Sequence, residues 1–216
     1  MPKDTKSKAA ANDRLLLLTV QKQAILLDPA EAEFIQYGFN KASLNRILTA
    51  ANMSKGQAYY YIDGKAGLYR AVCCRAFVQL YDVASLERTS ITNADSFWLQ
   101  VQSMFERVVA LFVNNRKLAR LARGIYASSE AQTALIDLSE QLDAYFIQLI
   151  ELGQTVGAIR SDLPHSFISS VLFATLRAMD CWFAEHQAEL SEMQLFNINT
   201  AALGMLKALA APAKTA

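Results

Sequence analysis

The chain is 216 residues long and 53% hydrophobic, with only four prolines and eight glycines. This argues for a compact, largely helical protein, able to bury a full core in one or two domains. Three cysteines, two of them the adjacent Cys73 and Cys74, exclude a disulfide framework and suit free thiols in a reducing cytoplasm. The formal net charge of +1 conceals a division. Residues 1–70 carry ten Lys/Arg against six Asp/Glu, a balance of +4, and the remainder eleven against fourteen, a balance of −3. That division suits a basic module for nucleic acid on a neutral or acidic body.

Residues 1–12 are small, polar and charged, with Lys3, Lys6 and Lys8 among them. They read either as a solvated, disordered tail or as a basic arm adding phosphate or minor-groove contacts. The run Leu15-Leu16-Leu17-Leu18 is too short for a membrane span. It passes directly into Gln21-Lys22-Gln23, without the apolar length of a signal peptide. Pro29 then falls inside a helical pattern, where proline removes a hydrogen bond and crowds the preceding turn. Asp28-Pro29-Ala30-Glu31 has the form of a fresh helix start, so a kink or break is expected near Leu27.

The stretch from Gly38 to Lys65 carries the most information. Ser43 can cap a helix whose apolar residues Leu44, Ile47 and Leu48 fall at i, i+3 and i+4. Asn52 follows where the chain must reverse, and asparagine tolerates the left-handed backbone of a turn. Ser54 opens a second helix, with Gln57 at capping-box spacing. Helix, short turn, helix is the geometry that lays one helix across the DNA backbone and a second in the major groove.

These residues resemble the DNA-binding module of the tetracycline-repressor (TetR) family of bacterial transcription regulators, from about Leu26 to Leu68. Leu26-Leu27-Asp28, Ala30 and Phe34-Ile35-Gln36-Tyr37-Gly38-Phe39 are similar to the family's first helix and its exit. Ile47 to Ala51 resembles the second helix, and Met53-Ser54-Lys55-Gly56 the opening of the recognition helix. Tyr59-Tyr60-Tyr61-Ile62, Lys65 and Leu68 resemble the end of that helix and the start of the fourth. Ile62 stands where the family usually has an aromatic residue, and Gly64 and Gly67 where a polar cap and an acidic residue are usual. Glycine weakens a helix by about 1 kcal/mol against alanine, so a soft junction is expected there.

The resemblance implies an all-α protein: a three-helix helix-turn-helix DNA-binding head, residues 14–64, followed by a helical-bundle ligand-binding and dimerisation domain, residues 65–212. It further implies a cytoplasmic, homodimeric repressor, released from a palindromic double-stranded operator by a small-molecule ligand. In such a head Ser43, Lys55, Tyr59, Tyr60 and Lys65 are the candidates for phosphate contacts, with Ser54 at the cap. Lys55 lies where a cation and backbone N–H groups can both face the groove. Gly56 lets the backbone approach base edges, and Gln57 can pair with adenine. Capping together with Ser54 is the other reading of Gln57. Successive helical residues are about 100° apart, so the three tyrosines cannot share one face; Tyr61 is expected to pack inward.

The fourth helix should run from about Gly64 to the low eighties, and a looser polar segment, Glu87 to Ala94, should follow it. Phe97, Val101, Phe105, Val108 and Phe112 make one helical stripe; Leu135, Leu138, Leu142, Tyr145, Phe146 and Leu149 make another. Gly157 is placed to end the second, and Asp162 to cap the next helix. Two wide-faced apolar helices, about 164–186 and 189–210, complete the chain. Their breadth requires burial on more than one side, either inside one chain or in a dimer interface formed by this helix pair. The resemblance favours the dimer.

The resemblance also implies a ligand pocket in the body, with Trp98, Phe105, Phe112, Tyr126, Tyr145, Phe146 and Trp182 as candidate lining. Ordinary core packing is the competing reading for each. No cofactor is expected, and His165 and His186 lie far from any second metal-type ligand, so no metal site is expected either. No nucleophile elbow, phosphate loop or paired-carboxylate motif is visible, which argues against an enzyme. A helical binding or interaction protein without sequence-specific DNA binding is the alternative class.

Overall fold

The computed structural model describes Ala11 and residues 14–212. The arm expected over residues 1–12 therefore lies, Ala11 apart, outside the described residues. Of the described residues, 82% are helical and none lies in a strand, as the all-α reading requires. In chain order the helices are α1 (Val20–Lys41), α2 (Leu44–Ala50), α3 (Lys55–Tyr61), α4 (Lys65–Ala84) and α5 (Ala94–Asn114). After them come α6 (Arg116–Tyr126), α7 (Ser129–Thr133), α8 (Ile136–Thr155), α9 (His165–His186) and α10 (Glu192–Ala210), with short 3-10 turns at Arg88–Ser90 and Gln187–Glu189. They form two compact units, residues 1–78 with 120–136 and residues 79–119 with 137–216, so that α4 and α6 each contribute to both.

In the first unit α1 is capped by Thr19, whose hydroxyl accepts the Lys22 N–H at 3.4 Å. The kink or break expected near Leu27 leaves no non-helical residue there; the kink inside this helix falls at Gly38. The helix runs through Pro29, and its one non-helical residue is Gly38, at φ 69°. Packing explains the difference. Leu26, Leu27, Ala30 and Phe34 form one buried stripe across the proline, and their joint burial outweighs its cost of about 3 kcal/mol. The carbonyl that loses its partner belongs to Ile25, on the exposed side. Ser43 caps α2 and Asn52 turns the chain with φ 52°, both as expected.

The junction at Gly64 is more firmly packed than its glycines suggest. Gly64 has φ 128°, a conformation open only to glycine, but it is followed by a well-tethered helix. The Tyr69 ring of α4 meets Phe34 and Phe39 edge-on, at 4.8 and 5.0 Å between centroids. Arg75 forms ion pairs with Asp28 and Glu31 of α1. Cys73 lies beneath, fully buried. Burial pushes its thiol up to about 12 against the lowering effect of the Tyr69 hydrogen bond, with Cys74 adding least, the state of an inert core thiol.

The second unit packs α5, α8, α9 and α10 around Phe97, Val101, Met104, Leu149, Ile150, Ile168, Leu172, Leu203 and Leu206. Gly157, at φ 71°, ends α8 as expected. The Ala158 N–H donates to Gly153 O at 2.8 Å and the Gly157 N–H to Gln154 O at 3.1 Å, a Schellman arrangement. Gly153 is needed for contact: a Cβ there would lie 2.6 Å from Ile159 Cδ1 and 2.8 Å from Phe97 Cζ. Asp162 does not cap α9. Its carboxylate takes two hydrogen bonds from Arg160, at 2.8 and 2.7 Å, a nearer and stronger partner. A capping box between Ser191 and Gln194 fixes the start of α10.

Candidate nucleic-acid interface

The helix after the turn, α3, is held by two inward positions. Ala58 and Ile62 are both 0% exposed, so this seven-residue helix is pinned at i and i+4. Ile62 at the usual aromatic position fills the core completely. Tyr61 is only half-buried, edge-on to Tyr60 at 5.0 Å, rather than the core residue expected of it. The inward role falls to Ala58 because it shares the helix face of Ile62. Lys55, Gly56, Gln57, Tyr59 and Tyr60 are all exposed.

Ser54 and Gln57 form a complete capping box. Ser54 Oγ accepts the Gln57 N–H at 3.2 Å, and Gln57 Oε1 accepts the Ser54 N–H at 2.9 Å. The amide oxygen that bidentate adenine pairing would use is thus engaged within the helix start. Gly56 has no internal reason to be glycine: a Cβ added there would meet nothing within 4 Å, and its φ is not left-handed.

The helix that precedes α3 is set by a charged network that sequence patterns do not reveal. Glu33, only 9% exposed in the apolar stripe of α1, accepts the Ser43 N–H at 2.8 Å and Arg46 Nε at 2.9 Å. Burial alone would raise the Glu33 carboxyl. The Arg46 hydrogen bonds, the Ser43 N–H and the Arg46 charge outweigh it and hold the group below its usual 4.5. The one visible signal is a lone carboxylate within an apolar face. Ser43 itself is half-buried, its hydroxyl accepting the Arg46 N–H at 3.4 Å.

Lys65, the first residue of α4, turns its ammonium to the end of α1. Nζ donates to Asn40 O at 3.1 Å and to Ala42 O at 3.4 Å, and lies 4.8 Å above the Phe39 ring. An ammonium has three donors, so this docking leaves one. Ser43, Ser54, Lys55, Gly56, Gln57, Tyr59, Tyr60 and Lys65 all belong to the first unit.

The aromatic candidates of the body stand in different surroundings. Trp98 and Phe105 line an open groove of about 320 Å³ between α5 and α10, with Asp95, Glu106, Asn199 and Lys207. Tyr145 donates to Ala84 O at 2.7 Å and meets Phe146, which meets Phe173 in turn. Phe112 is half-buried on α5, and Trp182 is 40% exposed and stacked on His186. Tyr126 belongs to the first unit. Trp98, Phe105 and Phe146 pack against the apolar core of the second unit. Among the described residues no three His, Cys, Asp or Glu side chains gather as metal ligands.

This head is a helix-turn-helix domain on an all-helical body, the architecture of a DNA-binding regulator. Residues 26–72 match the family model described as bacterial regulatory proteins, tetR family. No curated protein matches the chain by sequence. Solved structures share its fold. The fatty acid degradation regulator FadR from Bacillus halodurans is 14% identical with a TM-score of 0.67, over 85% of this chain and 96% of that one. FadR from Bacillus subtilis, in complex with stearoyl-CoA, is 14% identical with a TM-score of 0.64, over 84% and 96%. A TetR-like regulator from Rhodococcus sp. RHA1 is 18% identical with a TM-score of 0.57, over 89% and 95%. Residues 26–72 thus match a tetR-family DNA-binding head, and the chain as a whole is similar in fold to TetR-family regulators.

Proposed function

We propose that the protein is a cytoplasmic, homodimeric repressor that grips a palindromic operator with paired α3 helices and releases it on binding a small molecule. The observation that carries the DNA reading is the outer face of α3. Lys55, Tyr59 and Tyr60 stand exposed around a glycine that the fold does not require. A glycine with open space beside it is accounted for by close approach of an external surface, here the edge of a duplex groove. Ser43, Lys55, Tyr59 and Tyr60 contact phosphates, and Lys65 does so with its remaining donor. Gly56 brings the backbone of α3 near base edges, and Gln57, kept in place by Ser54, reads with its amide nitrogen.

Dimerisation through α9 and α10 is supported by the apolar side chains they leave uncovered. Phe167 is 56% exposed, Met193 69%, Phe196 49% and Met205 60%. By length and composition α9 is apolar enough to cross a membrane, yet only 22% of its most apolar window is buried. A second copy covers such a face and sets the spacing of two heads on two half-sites. Ligand release requires a compound with different affinities for the DNA-competent and free states. That a regulator of this fold holds stearoyl-CoA supports a ligand-bearing body, with Trp98, Phe105, Phe112, Tyr126, Tyr145, Phe146 and Trp182 as the side chains to probe.

The test is a mobility-shift assay with duplexes flanking the protein's own gene. A discrete shifted band, lost on substituting Lys55 by alanine, is the expected result. A purified protein that shifts no flanking or genomic duplex overturns the reading in favour of a helical binding protein without DNA recognition.

A further inference from the structure

We infer that Arg14, ahead of α1, is a positioning residue for the DNA interface, holding Tyr60 in place and presenting its own charge beside it. The inference rests on the DNA-binding reading of α3. Arg14 Nε donates to the Tyr60 carbonyl at 2.7 Å, across 46 residues of sequence. Its guanidinium lies 4.2 Å from the centre of the Tyr60 ring. One side chain therefore grips both the backbone and the aromatic face of the same recognition-helix residue.

The grip is built into the fold. Leu15, next in sequence, is 2% exposed and fixes the turn in the core of the head. The Leu18 N–H closes that turn on Leu15 O at 3.1 Å, and Gln23 Nε2 ties Leu18 O to α1 at 2.9 Å. Tyr60 is 55% exposed, so its core contacts do not by themselves select one orientation of the ring. Stacking by a guanidinium, which is planar and permanently charged, supplies that selection.

Nε is the only side-chain nitrogen of Arg14 with a hydrogen bond among the described residues. The two terminal nitrogens retain their donors at the C-terminal end of α3, whereas Lys55 stands at its N-terminal end. The face thus carries a cation at each end of the recognition helix, with Tyr59 and Tyr60 between. A backbone phosphate that accepts from the Tyr60 hydroxyl lies beside a guanidinium already oriented for bidentate contact. The ligand recognised is the phosphodiester backbone, so the effect is independent of sequence.

The experiment is a salt titration of full-length protein on a mixed-sequence duplex, comparing wild type with R14A, R14K, Y60A, R14A/Y60A and K55A. The slope of log K against log salt falls by about 0.9 for each phosphate no longer neutralised. We expect R14A to lower that slope by about one per protomer. R14K should keep the slope, because the charge remains, but bind several-fold more weakly at fixed salt, because the planar stack is gone. R14A and Y60A should be non-additive in the double variant, as befits two groups acting as one. If K55A lowers the slope while R14A and R14K leave slope and affinity unchanged, the assignment of Arg14 is wrong and the DNA reading survives. If K55A also changes nothing, the DNA reading falls and takes this inference with it. Should R14A unfold, R14K decides: wild-type affinity at every salt concentration overturns the proposal.

Discussion

Glu33 on α1 and Arg46 on α2 share one ion pair and, with the Ser43 N–H donated to the same carboxylate oxygen, fix the angle at which the second helix leaves the first. The carboxylate is buried and Arg46 is half-exposed, so the pair combines a desolvated anion with a solvated cation. Removing the charge with E33Q should cost about 1–3 kcal/mol, the range for a hydrogen-bonded buried charge with one exposed partner. The pH dependence has a definite sign. Because the folded group titrates below its usual 4.5, its stabilisation is present above that value and is lost as pH falls through the folded pKa. Urea titrations should show a constant gap between wild type and E33Q at neutral pH, narrowing below about pH 4.5. A gap that widens on acidification would refute the assignment.

Gly56 separates folding from binding. With nothing near its missing Cβ and no left-handed backbone, G56A should leave the fold intact and stabilise it by about 0.5–1 kcal/mol through helix propensity. The added methyl should nonetheless weaken DNA binding by about tenfold or more, a loss of about 1.4 kcal/mol. Thermal unfolding and a binding isotherm on the same preparation test both halves. Unaltered DNA affinity in G56A would show that the duplex does not approach this turn.

Gly153 should behave in the opposite way. The same substitution drives a methyl to within 2.8 Å of the Phe97 ring and closer still to Ile159. Propensity gains about 1 kcal/mol, while overpacking a filled core costs about 1–3 kcal/mol. Ile159 can yield, since its δ-carbon is a flexible end, but the Phe97 ring is 1% exposed and has no space to retreat. G153A should therefore be destabilised by up to about 2 kcal/mol, with α8 and the Schellman turn loosening first. Equilibrium unfolding measures the first and amide exchange at Ala158 and Ile159 the second.

What is legible in the sequence is local. Ser43, Asn52, the Ser54–Gln57 box and Gly157 depend on groups within four residues, and each stands where its chemistry requires. Pro29 points to a break because the local cost of proline is visible in the sequence, whereas the continuous burial of Leu26, Leu27, Ala30 and Phe34 is a tertiary fact. Asp162 misleads for a different reason: cap and ion pair are both local, and the bidentate Arg160 wins. In the candidate interface the residue types are readable but their partners are not. Arg14 on Tyr60 and Glu33 on Arg46 join positions that no helical period relates. The aromatic residues of the body are identifiable as apolar anchors, but a shared cavity depends on how separate helices converge, and stripes on single helices do not encode that.

The uncovered faces of α9 and α10 give the last prediction. Phe196 is 49% exposed and lies outside the core cluster, so F196E should fold with a melting temperature close to wild type. If a second copy covers this face, the carboxylate is buried against apolar side chains without a partner, at a cost of at least about 2 kcal/mol per interface site. By symmetry the variant acts twice in each dimer. Sedimentation equilibrium should show a concentration-dependent dimer for wild type and a predominantly monomeric F196E over the same range. DNA affinity should fall more steeply than removal of a single side-chain interaction explains, because each head then binds without the effective concentration supplied by its mate. A wild-type protein that sediments as a monomer at all concentrations would exclude the interface, while a dimer unaffected by F196E would move it to another face.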